Sequence, residues 1–178
     1  MPAAVELRRF RPDDAPAVHR WFNDDTVTAD LVGSRDEFTL AAAEGWVARA
    51  MDNGPDLKWA ITIDGADDAV GFVALFGVDR DVGPELAVLV GEPAAWGKGV
   101  ARAAERLACA HAFDELGVHR IHAEIPATNQ AAQKVVTSLG FRHEGTLKRA
   151  ILRGEEAIDN QIWGLLPEDF TGLDDDQD

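Results

Sequence analysis

A short segment with two glycines around a lysine is the first feature of the sequence that could do chemistry. Gly97-Lys98-Gly99 lies where an alanine-rich run with helical spacing begins. Glycine costs a helix roughly 1 kcal/mol relative to alanine, so two glycines at its start need a reason. The first amides of a helix have no intrahelical partner, and the helix dipole attracts anions to them. We therefore predict that these amides bind phosphate oxygens and that the missing side chains let a diphosphate approach. The amides concerned are those of Lys98, Gly99, Val100 and Ala101.

Three other interpretations of this segment compete with a phosphate site. A P-loop has four residues between its first glycine and Gly-Lys, followed by Ser or Thr. Here five residues separate Gly91 from Gly97, and Gly99 replaces the hydroxyl residue. A dinucleotide-binding turn has a third glycine where Arg102 stands, so both motifs are excluded. A tight turn that binds nothing remains the alternative, and the position of the segment between a predicted strand and a helix disfavours it.

The hydrophobic period predicts the elements that position this segment. Strands are predicted over residues 5–10, 57–64, 69–78, 84–90, 119–125, 142–152 and 157–165. Helices are predicted from Asp13, over residues 34–51, from the glycine segment to about residue 116, and over residues 129–139. Ser34 followed by Glu37 has the spacing of a capping box, which places the start of the second helix.

This order predicts a mixed α/β fold of the α+β type, built on one mostly antiparallel sheet of about seven strands flanked by helices. The strand, glycine turn, helix and next strand in its middle form a βαβ unit, whose two strands are expected to be parallel. No repeat or linker divides the chain, and its 178 residues, 46% of them hydrophobic, suit one compact domain. We assign residues 1–170 to that domain and residues 171–178 to an acidic tail.

The charge and the cysteine count limit the partners. The 32 acidic and 17 basic residues give a formal net charge of −15, which repels nucleic acid. This charge either attracts amines and basic proteins or serves solubility alone. Cys109 is the only cysteine, so no disulfide forms within the chain, and its helix-like surroundings predict a buried thiol. No apolar run is long enough to span a bilayer, and the start lacks the pattern of a signal peptide. A cytoplasmic protein without a membrane or nucleic-acid partner is expected.

The glycine segment, taken as Trp96-Gly97-Lys98-Gly99-Val100-Ala101, resembles motif A of the GNAT superfamily of N-acetyltransferases, Gln/Arg-x-x-Gly-x-Gly/Ala. Trp96 replaces the usual Gln or Arg, as in the branch that contains ribosomal-protein alanine acetyltransferases and spermidine acetyltransferases. Four further stretches are similar to the same branch: ELAVLVGEPAAWGKG, LGVHRI, NQAAQKVVTSLGF and HEGTLKRAILRGEEAIDNQIWGLLPEDF. The resemblance covers residues 85–170 well and the amino-terminal half in element order only.

This resemblance implies acetyl-CoA as cosubstrate. No metal is expected, and a single cysteine excludes a cysteine metal cluster. The pantetheine arm would lie between two splayed parallel strands, where the backbone would pair with it as with an added strand. The residues implied there are Val88, Leu89 and Val90. The diphosphate would lie on residues 97–101, in the motif that Trp96 begins. Asn129 matches a family asparagine that hydrogen-bonds the cosubstrate, and a plain helix cap is the alternative role.

Acetyl transfer to an amine needs a base, because an alkylammonium group has a pKa near 10. We favour Glu85, eleven residues before Trp96, which matches a glutamate of similar sequences; a solvated strand glutamate is the alternative. The lesser candidates are His111, His119, His122 and Glu124. A strand amide such as that of Leu89 would polarise the carbonyl. Many relatives take their acid from a tyrosine, but Val136 holds the matching position and the chain has no tyrosine.

Two functions are compatible with these residues. The first is an N-acetyltransferase that moves an acetyl group from acetyl-CoA to a primary amine by direct attack in a ternary complex. Its acceptor would be a small-molecule amine or a basic protein or peptide amino terminus. The second is an acyl-CoA-binding protein or sensor without transfer chemistry, which the missing tyrosine favours. The sequence leaves the oligomeric state open, a homodimer included.

Overall fold

The computed structural model describes residues 3–31, 37–52 and 54–171. The strands are β1 (Val5–Arg8), β2 (Leu57–Ile63), β3 (Gly71–Phe76), β4 (Glu85–Val90), β5 (Ile121–Pro126), β6 (Arg142–Arg153) and β7 (Glu156–Leu165). The helices are α1 (Ala15–Phe22), α2 (Leu40–Met51), α3 (Val100–Asp114) and α4 (Gln130–Ser138). Within these ranges the strands form one seven-stranded sheet in the order β1-β2-β3-β4-β5-β7-β6. The predicted mixed fold is confirmed.

The two parallel strands at the middle of the sheet separate from each other. β4 pairs with β3 over its whole length, and β5 pairs with β7 over its whole length, both antiparallel. Along these two fully described strands, β4 and β5 pair with each other only at Glu85 and His122, where the His122 amide donates to the Pro84 carbonyl at 3.0 Å. A wedge-shaped gap therefore opens between β4 and β5 towards their carboxyl ends. We call it the β4–β5 gap, and its narrow end the vertex.

The sheet has a hydrophobic layer on each face. One layer lies beneath α3 and α4 and includes Leu86, Ala104 and Ile121, and the other lies beneath α1 and α2 and includes Val18 and Leu89. Because successive side chains of a strand point to opposite faces, Leu86 and Leu89 on β4 belong to different layers. Glu85 therefore projects from the face that α1 and α2 cover.

The second helix begins later than the sequence predicts. Helix α2 starts at Leu40, because the Thr39 side chain caps it by accepting a hydrogen bond from the Ala42 amide at 3.2 Å. Glu37 lies before the helix, and Ser34, the predicted cap, lies outside the described residues. Thr39 satisfies one of the first amides of the helix in the way that Ser34 was expected to. Residues 172–178 of the predicted acidic tail also lie outside the described residues.

Helix α3 places an acidic side chain in the core. Glu105 is 4% exposed and lies on the buried stripe of the helix with Ala104, Ala108 and Cys109. Its Oε2 atom is buried and has no hydrogen-bond partner among the described residues. Burial raises the pKa of Glu105 to about 8, so the carboxyl is mostly neutral at neutral pH. Cys109 is buried beside it, as the sequence predicts.

Candidate active site

The glycine turn joins the end of β4 to the start of α3 in a left-handed conformation. Gly97 has φ = +73° and Gly99, the N-cap of α3, has φ = +76°. A side chain is strained at such angles, so the backbone itself favours glycine at both positions. A Cβ atom at either residue would meet no described atom within 4 Å, so the space in front of the turn is open. The first bond of α3 runs from the Ala103 amide to the Gly99 carbonyl at 3.0 Å, which leaves the amides of residues 98–101 ahead of the helical ladder.

Trp96 fixes this turn to the end of β4. Its indole Nε1 donates a hydrogen bond to the Val90 carbonyl at 2.8 Å, while 43% of the residue stays exposed. This bond gives a physical reason for tryptophan at a position where the family motif has Gln or Arg. Because this bond occupies the Val90 carbonyl, only the Val90 amide remains to bond a molecule in the gap.

The pairing of β4 with β3 decides which backbone groups face the gap. The Gly91 amide donates to the Val70 carbonyl at 2.8 Å, and residues of an antiparallel pair alternate between bonding this neighbour and facing away from it. With the register Val88 opposite Val73 and Leu89 opposite Phe72, the backbone of Leu89 bonds towards β3. Val88 and Val90 face β5. The pairing therefore favours Val88 and Val90 over Leu89 as backbone partners of a molecule in the gap.

Glu85 lies at the vertex of the gap and is half-buried. Burial raises its pKa first, and the nearby Glu124 carboxylate raises it further, against smaller opposing effects of His122 and Arg80. His122 is its register partner on β5. A carboxylate with a raised pKa holds a proton more readily than a surface glutamate does, which suits it to accept one from an amine.

Glu124 joins Glu85 through the sheet geometry. Ile121, Ala123 and Ile125 point into the layer beneath α3, so the alternate residues His122 and Glu124 project from the opposite face, where Glu85 also lies. The vertex is therefore surrounded on this face by two carboxylates and an imidazole. The alternation in the β5 sequence agrees with this placement, which brings two of the lesser base candidates, His122 and Glu124, to the side of Glu85.

Asn160 is a residue of this cluster that the sequence analysis missed. It is 6% exposed, and its Nδ2 donates to Glu124 Oε2 at 2.7 Å. Its Oδ1 is buried and accepts no hydrogen bond from the described residues. Asn160 stands in the polar run Asp159-Asn160-Gln161 at the middle of β7, and nothing in its spacing connects it with Glu124.

Asn129 has the role of a helix cap. Its Oδ1 accepts a hydrogen bond from the Ala132 amide at 3.0 Å at the start of α4. The cap uses the oxygen of the side-chain amide and does not use its nitrogen. A contact of that nitrogen with a cosubstrate stays a prediction.

Helix α4 places no replacement for the missing tyrosine at the gap within the described residues. Val136, at the matching position, is 1% exposed and packs in the layer beneath α3. The Thr137 hydroxyl donates to the Gln133 carbonyl and the Ser138 hydroxyl donates to the Val135 carbonyl, both at 2.7 Å. These two hydroxyls bond to the backbone of their own helix.

Two of the lesser base candidates lie apart from the vertex. His111 packs edge-on against Trp59 of β2, with ring centroids 5.3 Å apart. His119 is exposed in the turn before β5. Among the histidines predicted as bases, only His122 belongs to the cluster. No group of three or more His, Cys, Asp or Glu side chains that could hold a metal ion occurs in the described ranges.

A mixed sheet with a splayed parallel pair, followed by a glycine-capped helix start, defines a class of α/β proteins in which the gap and the helix terminus form one site. Residues 4–142 match the family model of the acetyltransferase (GNAT) domain. The chain therefore belongs to the GNAT family and is an acetyltransferase. Within the described residues, no helix combines the length and the hydropathy that crossing a membrane requires.

Similar proteins agree with this family. The uncharacterized N-acetyltransferase YnaD of Bacillus subtilis is 24% identical over 165 residues, which cover 93% of this chain and 95% of that protein. Spermidine N-acetyltransferase from Vibrio cholerae, solved with CoA and spermine, has a TM-score of 0.82 at 18% identity, covering 93% of this chain and 96% of that one. RimJ from Mycobacterium smegmatis, solved with CoA-disulfide, has a TM-score of 0.79 at 23% identity, covering 94% and 87%. The structural neighbours include the branch that the sequence resembles.

Proposed function

We propose that this protein transfers an acetyl group from acetyl-CoA to a primary amine by direct attack in a ternary complex. The observation that carries the proposal is the β4–β5 gap, which runs from the helix start that follows Val90 to the Glu85 carboxylate at its vertex. One end of the gap suits an anion and the other end suits a protonated amine. We place this function in a cytoplasmic enzyme of the RimJ- and RimL-like branch.

The residues of the gap fit acetyl-CoA. The open turn at Gly97 and Gly99 provides room for a diphosphate, and the amides of residues 98–101 supply donors for it. The amides of Val88 and Val90 would pair with the pantetheine arm, and the unused Nδ2 of Asn129 would donate to it. Trp96 and Lys98 would border the diphosphate, Trp96 by holding the turn and Lys98 by its exposed charge. When bound, the thioester supplies an electrophilic acetyl carbon.

Glu85 acts as the base. It takes the proton from the acceptor ammonium, directly or through a water molecule, because its pKa is raised by burial and by Glu124. The nitrogen lone pair that this frees attacks the acetyl carbonyl, the bond from the carbonyl carbon to sulfur breaks, and the nitrogen loses its second proton to solvent. The Val88 amide, which faces the gap, would donate to the carbonyl oxygen as negative charge develops on it, and this role replaces the one first assigned to Leu89.

The reaction does not require an acid residue at the sulfur. A thiol of pKa about 8.5 is a tolerable leaving group as its thiolate. With Val136 buried and the Thr137 and Ser138 hydroxyls bonded to backbone carbonyls, the thiolate leaves unprotonated. We therefore expect a modest turnover rate.

The acceptor is a small-molecule amine or the amino terminus of a basic protein or peptide. One structural neighbour is named for spermidine, which is an amine. The formal charge of −15 attracts cations of either kind and disfavours nucleic acid. A homodimer is compatible with this function and is not needed by it.

The test is release of free CoA thiol when the protein is incubated with acetyl-CoA and a panel of amines and peptides. Release that depends on an acceptor and that falls at least a hundredfold in Glu85→Gln supports the proposal. The exposed Glu115→Gln, just after α3, is the matched control and should release thiol at the wild-type rate. Absence of release with every acceptor would contradict it.

A non-catalytic acyl-CoA-binding protein or sensor is the second candidate. The buried Val136 and the occupied hydroxyls of α4 favour it, because they remove the acid that many relatives use. Calorimetry that finds tight acetyl-CoA binding without turnover would support this function over the first.

A further inference from the structure

The Asn160 side chain bonds the Glu124 carboxylate through its nitrogen, while its own buried oxygen accepts no hydrogen bond from the described residues. The Nδ2 atom bonds to Glu124 Oε2 at 2.7 Å, and the Oδ1 atom is buried with no partner among the described residues. Buried carbonyl oxygens almost always accept a hydrogen bond, so this one indicates a donor that arrives from outside the chain. The amide lies against Glu124, so such a donor would meet both residues together.

We propose that Glu124 and Asn160 bind the ammonium group of the acceptor and determine which amines the enzyme accepts. The inference rests on the proposed function. An ammonium group has three N–H donors, and Glu124 and Asn160 Oδ1 offer acceptors to two of them. Glu85 lies nearer the vertex and takes the proton of the third N–H through water, while the electron pair of that bond stays on the nitrogen.

An asparagine is well suited to this position. Its nitrogen holds Glu124 in place, which an aspartate could not do without repelling it, and its oxygen remains an acceptor. Glu124 itself is exposed, so an incoming molecule can reach its carboxylate. Asn160 is therefore both a positioning residue for Glu124 and a direct contact of the acceptor.

The charges of the cluster select a class of amine. Two carboxylates face the incoming nitrogen, and the neighbouring Arg120 is already paired with Glu144 at 2.9 Å. A free α-amino acid would bring its own carboxylate within a few ångströms of both glutamates, where like charges repel. The accepted class is therefore an amine whose neighbouring carbon carries no carboxylate, such as an alkylamine or a peptide amino terminus.

The test uses two probes of nearly equal size, glycinamide and glycine, in NMR titrations of the whole protein. Glycinamide should shift the side-chain amide signals of Asn160, and glycine should do so only at concentrations at least tenfold higher. Glu124→Gln should weaken glycinamide binding about tenfold or more, because a hydrogen bond to a charged group is lost. Asn160→Leu should weaken it as well. Glu156→Gln, an exposed change at the start of β7, is the matched control and should bind glycinamide like the wild type.

The outcomes separate this inference from the proposed function. The inference would be overturned if glycinamide left the Asn160 signals unmoved, or if glycine bound as tightly as glycinamide. In that case, CoA-dependent shifts at Gly97 and Gly99 together with acetylation of other amines would still support the proposed enzyme. Selective binding of glycinamide without acetylation of any amine would support the inference and contradict the enzyme. If neither variant folds, the wild-type titration with the two probes decides.

Discussion

The stability of Glu105→Gln relative to the wild type should rise as pH rises. The carboxyl is 4% exposed, and burial raises its pKa from an ordinary 4.5 to about 8. Because the folded-state pKa lies above the unfolded one, folding favours the neutral carboxyl. This residue's contribution to stability is therefore complete below about pH 4.5, falls as pH rises towards about 8, and changes no further above that value.

The size of the effect follows from the pKa difference. One pKa unit corresponds to about 1.4 kcal/mol, so the wild type should lose about 3 kcal/mol of unfolding free energy through Glu105 between pH 5 and pH 7. Glutamine cannot ionise, but it leaves a polar amide in the core at a cost of about 1–3 kcal/mol that does not depend on pH. The slope with pH, and not the offset, measures the ionisation.

The measurement is urea unfolding followed by circular dichroism at pH 5, 6, 7 and 8. The unfolding free energy of Glu105→Gln minus that of the wild type should rise by about 1.4 kcal/mol per pH unit up to pH 7 and level off near pH 8. Titrating groups that do not interact with Glu105 cancel in this difference. The exposed Glu115→Gln, which also removes one carboxylate, is the matched control. A difference for Glu105→Gln that stays constant over this range would refute the assignment of a neutral carboxyl in the core.

Three further predictions concern the gap. Gly99→Ala should cost only the strain of the left-handed backbone, about 1 kcal/mol, whereas Gly99→Glu also places a negative charge in front of the turn. Calorimetry should therefore find that Gly99→Glu binds CoA at least tenfold more weakly than Gly99→Ala does. Because burial and Glu124 raise the pKa of Glu85, kcat/KM of the wild type should rise with pH through that raised pKa. In Glu124→Gln the rise in kcat/KM should occur at lower pH, and in Glu85→Gln the rise should be absent. Asn129→Asp keeps the capping oxygen and loses the nitrogen donor, so it should raise the KM for acetyl-CoA at unchanged thermal stability. Asn129→Ala should raise this KM and also lose about 1 kcal/mol of stability. An unchanged KM in both variants would show that Asn129 is a helix cap alone.

The order of the elements could be predicted because their signals are local. Apolar runs, nearly continuous in β3 and alternating with polar residues in β5, mark β2 to β5, and the glycine pair marks the start of α3. The start of α2 could not be fixed in this way, since Ser34 and Thr39 are both good capping residues and the structure shows a cap at Thr39. Propensity alone does not choose between two such residues five positions apart.

The site was predictable in its separate parts and not in its assembly. Glu85 was a candidate from the resemblance and His122 and Glu124 were lesser candidates, and the parallel pairing of β4 with β5 brings them to one face. Asn160 was missed because its contact with Glu124 joins strands 36 residues apart, and one sequence does not show such pairs. Leu89 was an expected carbonyl donor, but backbone direction depends on register with β3, which the residue types do not fix.

The single residue pair at the vertex divides the sheet into two blocks, β1–β4 and β5–β7, with one rung of contact between them. A pantetheine arm lying in the gap would supply the missing rungs, so the sheet becomes continuous only in the complex. Occupancy and rigidity are then linked: the amides of β4 and β5 should exchange with solvent deuterium more slowly once CoA is bound, and the melting temperature should rise with CoA concentration. The bound cosubstrate would therefore stabilise the sheet as well as take part in the reaction.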